Sequence, residues 1–221
     1  MMRFKQNCPL RLKKSTEIKK GLARFIPHSA LDHVCELIEN NPFHLNVSAP
    51  RLTKLGDFRV SKTGLHRISV NGDLNPFSFL ITLIHEIAHL RTWDEYGQKV
   101  MPHGAEWKQE FQRLLNPLLD INVFPVDVDK VLRQYISKPT ASSCTYLPLQ
   151  RILQGYDSNV RFTVEQLKTG QQFTFRSKHY IRGEKNRTRY NCMLVPSGKT
   201  YLFNALTPVI PVENTSQNST S

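Results

Sequence analysis

The stretch from Phe77 to Tyr96 constrains this chain more than any other. It is dense in Leu, Ile and Phe around the whole helical period, the pattern of a helix buried on most sides. Asn75-Pro76 makes a strong start, because Asn caps and Pro at the first helical position gives up a donor that has no helical partner there. Gly97 supplies the stop. Yet the middle of this apolar helix reads His85-Glu86-Ile87-Ala88-His89. Two imidazoles and a carboxylate buried without partners would be costly, so the sequence demands something that satisfies them.

A metal ion does so. Helix positions i and i+4 share a face, about 6 Å apart at Cβ, so His85 and His89 can both present an imidazole to one zinc ion. Glu86 is rotated from His85 by about 100°. There it can take a proton from water and pass it to a leaving amine without ligating the metal. With eight His and ten Glu in the chain, chance yields such a pentapeptide in roughly one such sequence per hundred.

A catalytic zinc needs a third protein ligand and one open position. The long pattern HExxHxxGxxH fails, because Thr92 and Glu95 stand where Gly and His are required. Three candidates follow: Asp94, His103 and Glu110. His103 is preferred, since it opens a second helix after the turn 97–102 has reversed the chain; Glu106 and Glu110 then form a solvated or supporting face.

The flanking pattern predicts an α+β chain. A helix over 29–40 has Ser29 as its cap and ends at Asn41-Pro42. Strands are expected at 45–47 and 65–70, with a turn at Asn71-Gly72-Asp73. Further helices are expected over 104–115 and 128–136, the first with Trp107, Phe111, Leu114 and Leu115 inside. Lys138-Pro139-Thr140-Ala141-Ser142-Ser143 opens a linker, read as 139–154. Beyond it, short runs at 160–164, 172–175, 190–195 and 200–203, separated by Gly and polar turns, predict a small all-β module over 155–213. The division expected is a basic segment 1–25, a main domain 26–138, this linker, the β module, and a disordered tail 214–221.

Charge follows the same division. The net charge is +12, but residues 1–25 carry +7, residues 26–154 carry none and residues 155–212 carry +6. A neutral middle between basic ends suggests a polyanion partner, nucleic acid ahead of a membrane surface. In the β module the cations Arg176, Lys178, Arg182, Lys185, Arg187 and Arg189 are candidates for phosphate contacts, with single-stranded DNA as the expected form. The interleaved aromatics Phe173, Phe175, Tyr180, Tyr190 and Tyr201 are read as that module's core. Lys13, Lys14, Lys19 and Lys20 suit a solvated helix equally well. No window is apolar enough for a transmembrane helix and no secretory signal is visible. The four cysteines are far apart without a CxxC pair, as expected of reduced thiols in a cytoplasmic protein.

Several stretches resemble one family in order. They are Arg51-Leu52-Thr53-Lys54-Leu55-Gly56-Asp57-Phe58-Arg59, Ile68-Ser69-Val70-Asn71, Leu83 to His89, and His103-Gly104-Ala105-Glu106-Trp107. Over roughly residues 28–120 the chain resembles the SprT-like zinc metalloproteases, the bacterial SprT group related to the DNA–protein crosslink protease Spartan. The resemblance implies a zincin-like fold, His85, His89 and His103 as ligands of one zinc ion, Glu86 as acid and base, and protein substrates held on DNA. It departs in the C-terminal region, where a Cys-rich zinc ribbon is common in the family and this chain has only Cys192. A metal-free β module is therefore expected, with His179 and Cys192 as structural residues. The competing expectation is a zinc-containing nucleic-acid-binding or transcription-associated protein without significant proteolysis.

Overall fold

The structure is a computed structural model that describes residues 9–51, 54–137, 146–159 and 161–212. The chain is mixed α+β and divides into two compact units, with the boundary between Ser158 and Asn159. Among the described residues it forms six α-helices and two sheets. No described helix is long and apolar enough to cross a membrane.

In the first unit α1 (Pro9–Leu22) and α2 (Leu31–Asn40) precede β1 (His44–Ser48), β2 (Gly56–Arg59) and β3 (Arg67–Asn71). The strands lie in the order β1-β3-β2, with β1 parallel and β2 antiparallel to β3. Then come α3 (Pro76–Tyr96), α4 (Ala105–Asp120), α5 (Val126–Ser137) and α6 (Leu147–Gln154). Ile68 and Val70 of β3 are fully buried, and α3 packs against β2, β3 and α4. Phe79, Leu80, Leu83, Ile84 and Ile87 of α3 meet Trp107, Phe111 and Leu115 of α4 in one core, all of them 0% exposed. That burial holds α3 in place, since so apolar a helix has no solvated face to prefer.

Three expectations are corrected here, and one strand was not among them. Ser29 does not cap α2: the chain enters through a 3-10 turn, His28–Ala30, and Ala30 holds the cap position without a side-chain bond. The strand β2 was not foreseen, because Gly-Asp-Phe-Arg is short and shows no full alternation. The helix expected to end at Leu115 continues through Pro117, and the burial of Leu118 and Leu119 compensates the donor that Pro lacks. Within the stretch read as a linker, residues 147–154 form α6, whose Leu149 and Leu153 join the main core; residues 138–145 lie outside the described residues.

The second unit is an antiparallel sheet in the order β7-β6-β5-β4-β8, built from β4 (Gln172–Phe175), β5 (Lys178–Asn186), β6 (Arg189–Leu194), β7 (Thr200–Asn204) and β8 (Ile210–Pro211). Phe173, Tyr180, Tyr190 and Phe203 form its core with Cys192. The run expected as a strand at 160–164 is instead extended chain, described from Arg161 and leading into a 3-10 turn at Val164–Gln166, capped by Thr163 and Gln166. The tail 214–221 lies outside the described residues.

Asn75 fixes the start of α3. Its Oδ1 accepts from the Ser78 amide at 3.0 Å, and its Nδ2 donates to the Leu153 carbonyl at 2.9 Å and the Asp157 carboxylate at 2.6 Å. One buried side chain thus caps α3 and ties it to the end of α6. Replacing Asn75 by Ala removes the cap and both bonds to the end of α6, so urea unfolding should show a loss of about 2–4 kcal/mol. Asn75→Asp keeps the cap alone and should recover only part of that loss.

Candidate metal centre

Two helices assemble the site. One turn of α3 places His85 above His89, and the segment before α4 delivers His103. Gly104 donates to the Met101 carbonyl at 2.8 Å, closing a turn with Pro102 second and His103 third. His103 has a φ of 60°, the left-handed value that the third position of a type II turn requires and that Gly or Asn usually supplies. This turn swings the His103 ring back onto α3. A β-carbon on Gly104 would lie 2.9 Å from the Met101 carbonyl oxygen, so the next residue must be Gly for the turn to close.

The three Nε2 atoms form a nearly equilateral triangle, with sides of 3.2 Å (His85–His89), 3.0 Å (His89–His103) and 3.1 Å (His85–His103). They lie close enough together to bind one metal ion. Tetrahedral ligands at a metal–nitrogen distance of about 2.0–2.1 Å stand about 3.3 Å apart, so the triangle has the spacing of three imidazoles around one small divalent ion. Trp107 lies against all three rings, with centroid distances of 4.6, 5.3 and 4.7 Å to His85, His89 and His103, and stacks on Phe111 behind. Its role as a wall was not read from the sequence, where it figured only as a core residue of the second helix. The spacing His103 to Trp107, one helical turn, was the available signal.

Electrostatics keep the imidazoles neutral. Burial, with the neighbouring rings adding to it, lowers the pKa of His85 to about 2 and that of His89 to about 4; burial lowers that of His103 too. A neutral imidazole has the lone pair a metal needs. Glu86 moves the other way. Burial foremost, and then the charge of Asp57, raise its pKa to about 8, against the pull of Arg51, the Phe58 amide and Lys54.

Glu86 reaches β2 rather than open solvent. The backbone N–H of Phe58 donates to its carboxylate. A β-carbon on Gly56 would stand 2.8 Å from Glu86 Cγ and 2.7 Å from Thr82 Cγ2, so the edge strand can approach α3 this closely only with Gly there. The other two ligand candidates are engaged elsewhere. Asp94 lies 3.2 Å from His66 Nε2. Glu110 is ion-paired to Arg91 at 2.7 Å and Arg113 at 2.9 Å, which ties α3 to α4.

The cations of the second unit do not form one patch. Arg176 and Lys178 lie at the β4–β5 turn, whereas Lys185, Arg187 and Arg189 lie at the β5–β6 turn, roughly 20 Å away along β5. Those five are exposed, but Arg182 is half-buried, stacked 4.4 Å over the Tyr190 ring and bonded to Thr169. Phe173, Tyr180 and Tyr190 are buried, and Tyr201 is exposed. Cys192 is a buried free thiol and His179 is exposed on β5; among the described residues the three-histidine group alone could hold a metal ion.

Comparison with protein-family models, curated proteins and solved structures gives no match to the chain.

Two measurements check this geometry. Three imidazoles of ordinary pKa would lose several hundredfold in combined metal affinity between pH 7 and 5.5. Because His85 and His89 stay neutral throughout that range, zinc titration by calorimetry should show a loss of less than about tenfold. Gly56→Ala should cost about 1–3 kcal/mol in chemical unfolding, since the added methyl must displace Glu86 or Thr82.

Proposed function

We propose that the chain is a zinc-dependent endopeptidase of SprT-like, zincin type, acting on proteins associated with nucleic acid. The observation that carries this reading is the triangle of His85, His89 and His103 Nε2 atoms with a buried carboxylic acid, Glu86, on the next residue of the same helix. A structural zinc site is closed by four protein ligands. Here three imidazoles converge, which leaves a position for water or substrate.

Zinc bound there would polarise the scissile carbonyl and lower the pKa of water. The chain's own residues supply the rest. Glu86, with its pKa raised to about 8, can hold a proton near pH 7 and give it to the leaving amine. In its ionised form, which the charge of bound zinc would favour, it would accept the proton of the attacking water. The Phe58 amide and the glycine at 56 hold that carboxyl against β2. Arg91, paired with Glu110, fixes α3 against α4 and so keeps His103 in register with the other two rings.

Association with nucleic acid draws support from the five exposed cations at the two turns of the second unit. The buried free thiols Cys35 and Cys192 suit a reducing, cytoplasmic setting.

The test is Glu86→Gln, which preserves shape and hydrogen bonding but cannot take up the proton. The variant should bind zinc one to one like wild type and cleave a single-stranded-DNA-bound protein at least a hundredfold more slowly, in line with the roughly 10²–10⁴-fold worth of general acid–base catalysis. Equal cleavage by both proteins would remove Glu86 from the chemistry. Zinc binding and DNA affinity without cleavage by wild type would favour a binding protein instead.

A further inference from the structure

The face of the first sheet turned away from α3 forms a cleft of about 500 Å³. Its chemistry is set by strand register. His44 on β1 stands opposite Arg67 on β3, and Arg67 stands opposite Arg59 on β2, so three basic side chains form one row across the sheet. All three are exposed, and the row spans about 10 Å. The row beside it is Asn46, Ser69 and Asp57.

Like charges directly opposite each other on neighbouring strands are destabilising. Among the described residues Asp57 is the one carboxylate lining the cleft, and it is shared between Lys54 at 2.8 Å and Arg59 at 2.6 Å. Among the described residues no carboxylate lies within ion-pair distance of Arg67. Arg51, the other cation of the lining, is held at the cleft wall by Asn71 at 2.7 Å and Ser69 at 2.9 Å. With one carboxylate against Arg51, Arg59 and Arg67 among the described lining residues, the cleft is cationic.

We infer that this cleft binds a phosphate group. The donors are several and spread out: two guanidinium groups and an imidazole in one row, with the Ser69 hydroxyl and the Asn46 amide in the next. Such a set matches an anion with three or four acceptor oxygens better than the two oxygens of a carboxylate. Among the described residues no aromatic ring other than His44 lines the cleft, so it would hold a phosphodiester backbone or a phosphomonoester without stacking on a base. The cleft's chemistry is independent of whether the metal centre cleaves peptides, although β2 serves both. Asp57 and Arg59 line the cleft, while Gly56 and the Phe58 amide hold Glu86.

The experiment uses the full chain and its Arg67→Thr variant, with zinc content measured in each. Thr suits a strand, and loss of the Arg59–Arg67 opposition should leave the variant melting at or above wild type in phosphate-free buffer. Inorganic phosphate should raise the melting temperature of wild type and not of the variant. A labelled single-stranded oligothymidylate, titrated over a salt series, tests the phosphodiester source. If it occupies the cleft, the variant binds it roughly tenfold more weakly, with the log–log salt slope reduced by about one. Lost phosphate protection with unchanged oligonucleotide binding assigns the cleft to a small phosphate compound. Two results overturn the inference: neither probe responds to Arg67→Thr, or polyglutamate protects wild type as well as phosphate does. These readouts stand whether or not Glu86→Gln abolishes cleavage, so the phosphate assignment and the peptidase reading can fail separately.

Discussion

Along most of α3 the neighbours of a side chain are aliphatic, yet His85 and Glu86 are only 4% and 6% exposed. Polar groups so placed must be answered by partners, or the helix would not tolerate them. For His85 the answer comes from His89 one turn on and from His103, delivered across the core by a left-handed turn. For Glu86 it comes from β2, which passes so close that only Gly fits at position 56. Much of the first unit can be read as support for these two meetings. Asn75 anchors the start of α3, the Arg91–Glu110 pair sets its spacing from α4, and Trp107 closes the space behind the three rings.

The features legible in the sequence were those fixed by local chemistry. Asn75-Pro76 and Gly97 bounded α3, the i, i+4 spacing paired His85 with His89, and the reversal over 97–102 favoured His103 over Asp94 and Glu110. Features that depend on distant neighbours were harder to read. β2 pairs through only four residues and draws its order from β3 and α3. α6 was read as linker because the polar, Pro-containing run 138–143 precedes it, and it is helical because Leu149 and Leu153 find the core. β5 was masked by its charges, since a strand with one solvated face can carry Lys and Arg at every exposed position.

Charge shows the same limit. Six cations close together in sequence separate into two groups at opposite turns of the second unit, with Arg182 turned to a structural use over Tyr190. Conversely, His44, Arg59 and Arg67 are scattered along a segment of zero net charge and come together only through register. Charge summed by segment therefore does not reveal the cationic row on the first unit, because a strand pairing joins residues that no linear window contains.

The central claim is that His85, His89 and His103 hold one zinc ion with a position left open. X-ray absorption at the zinc edge of the zinc-loaded full chain tests it most directly. One zinc per chain is expected, with three imidazole nitrogens at about 2.0–2.1 Å and an oxygen completing the shell, and loss of that signature in His103→Ala. Sulfur at about 2.3 Å, four protein ligands, or an unchanged spectrum in His103→Ala would contradict it.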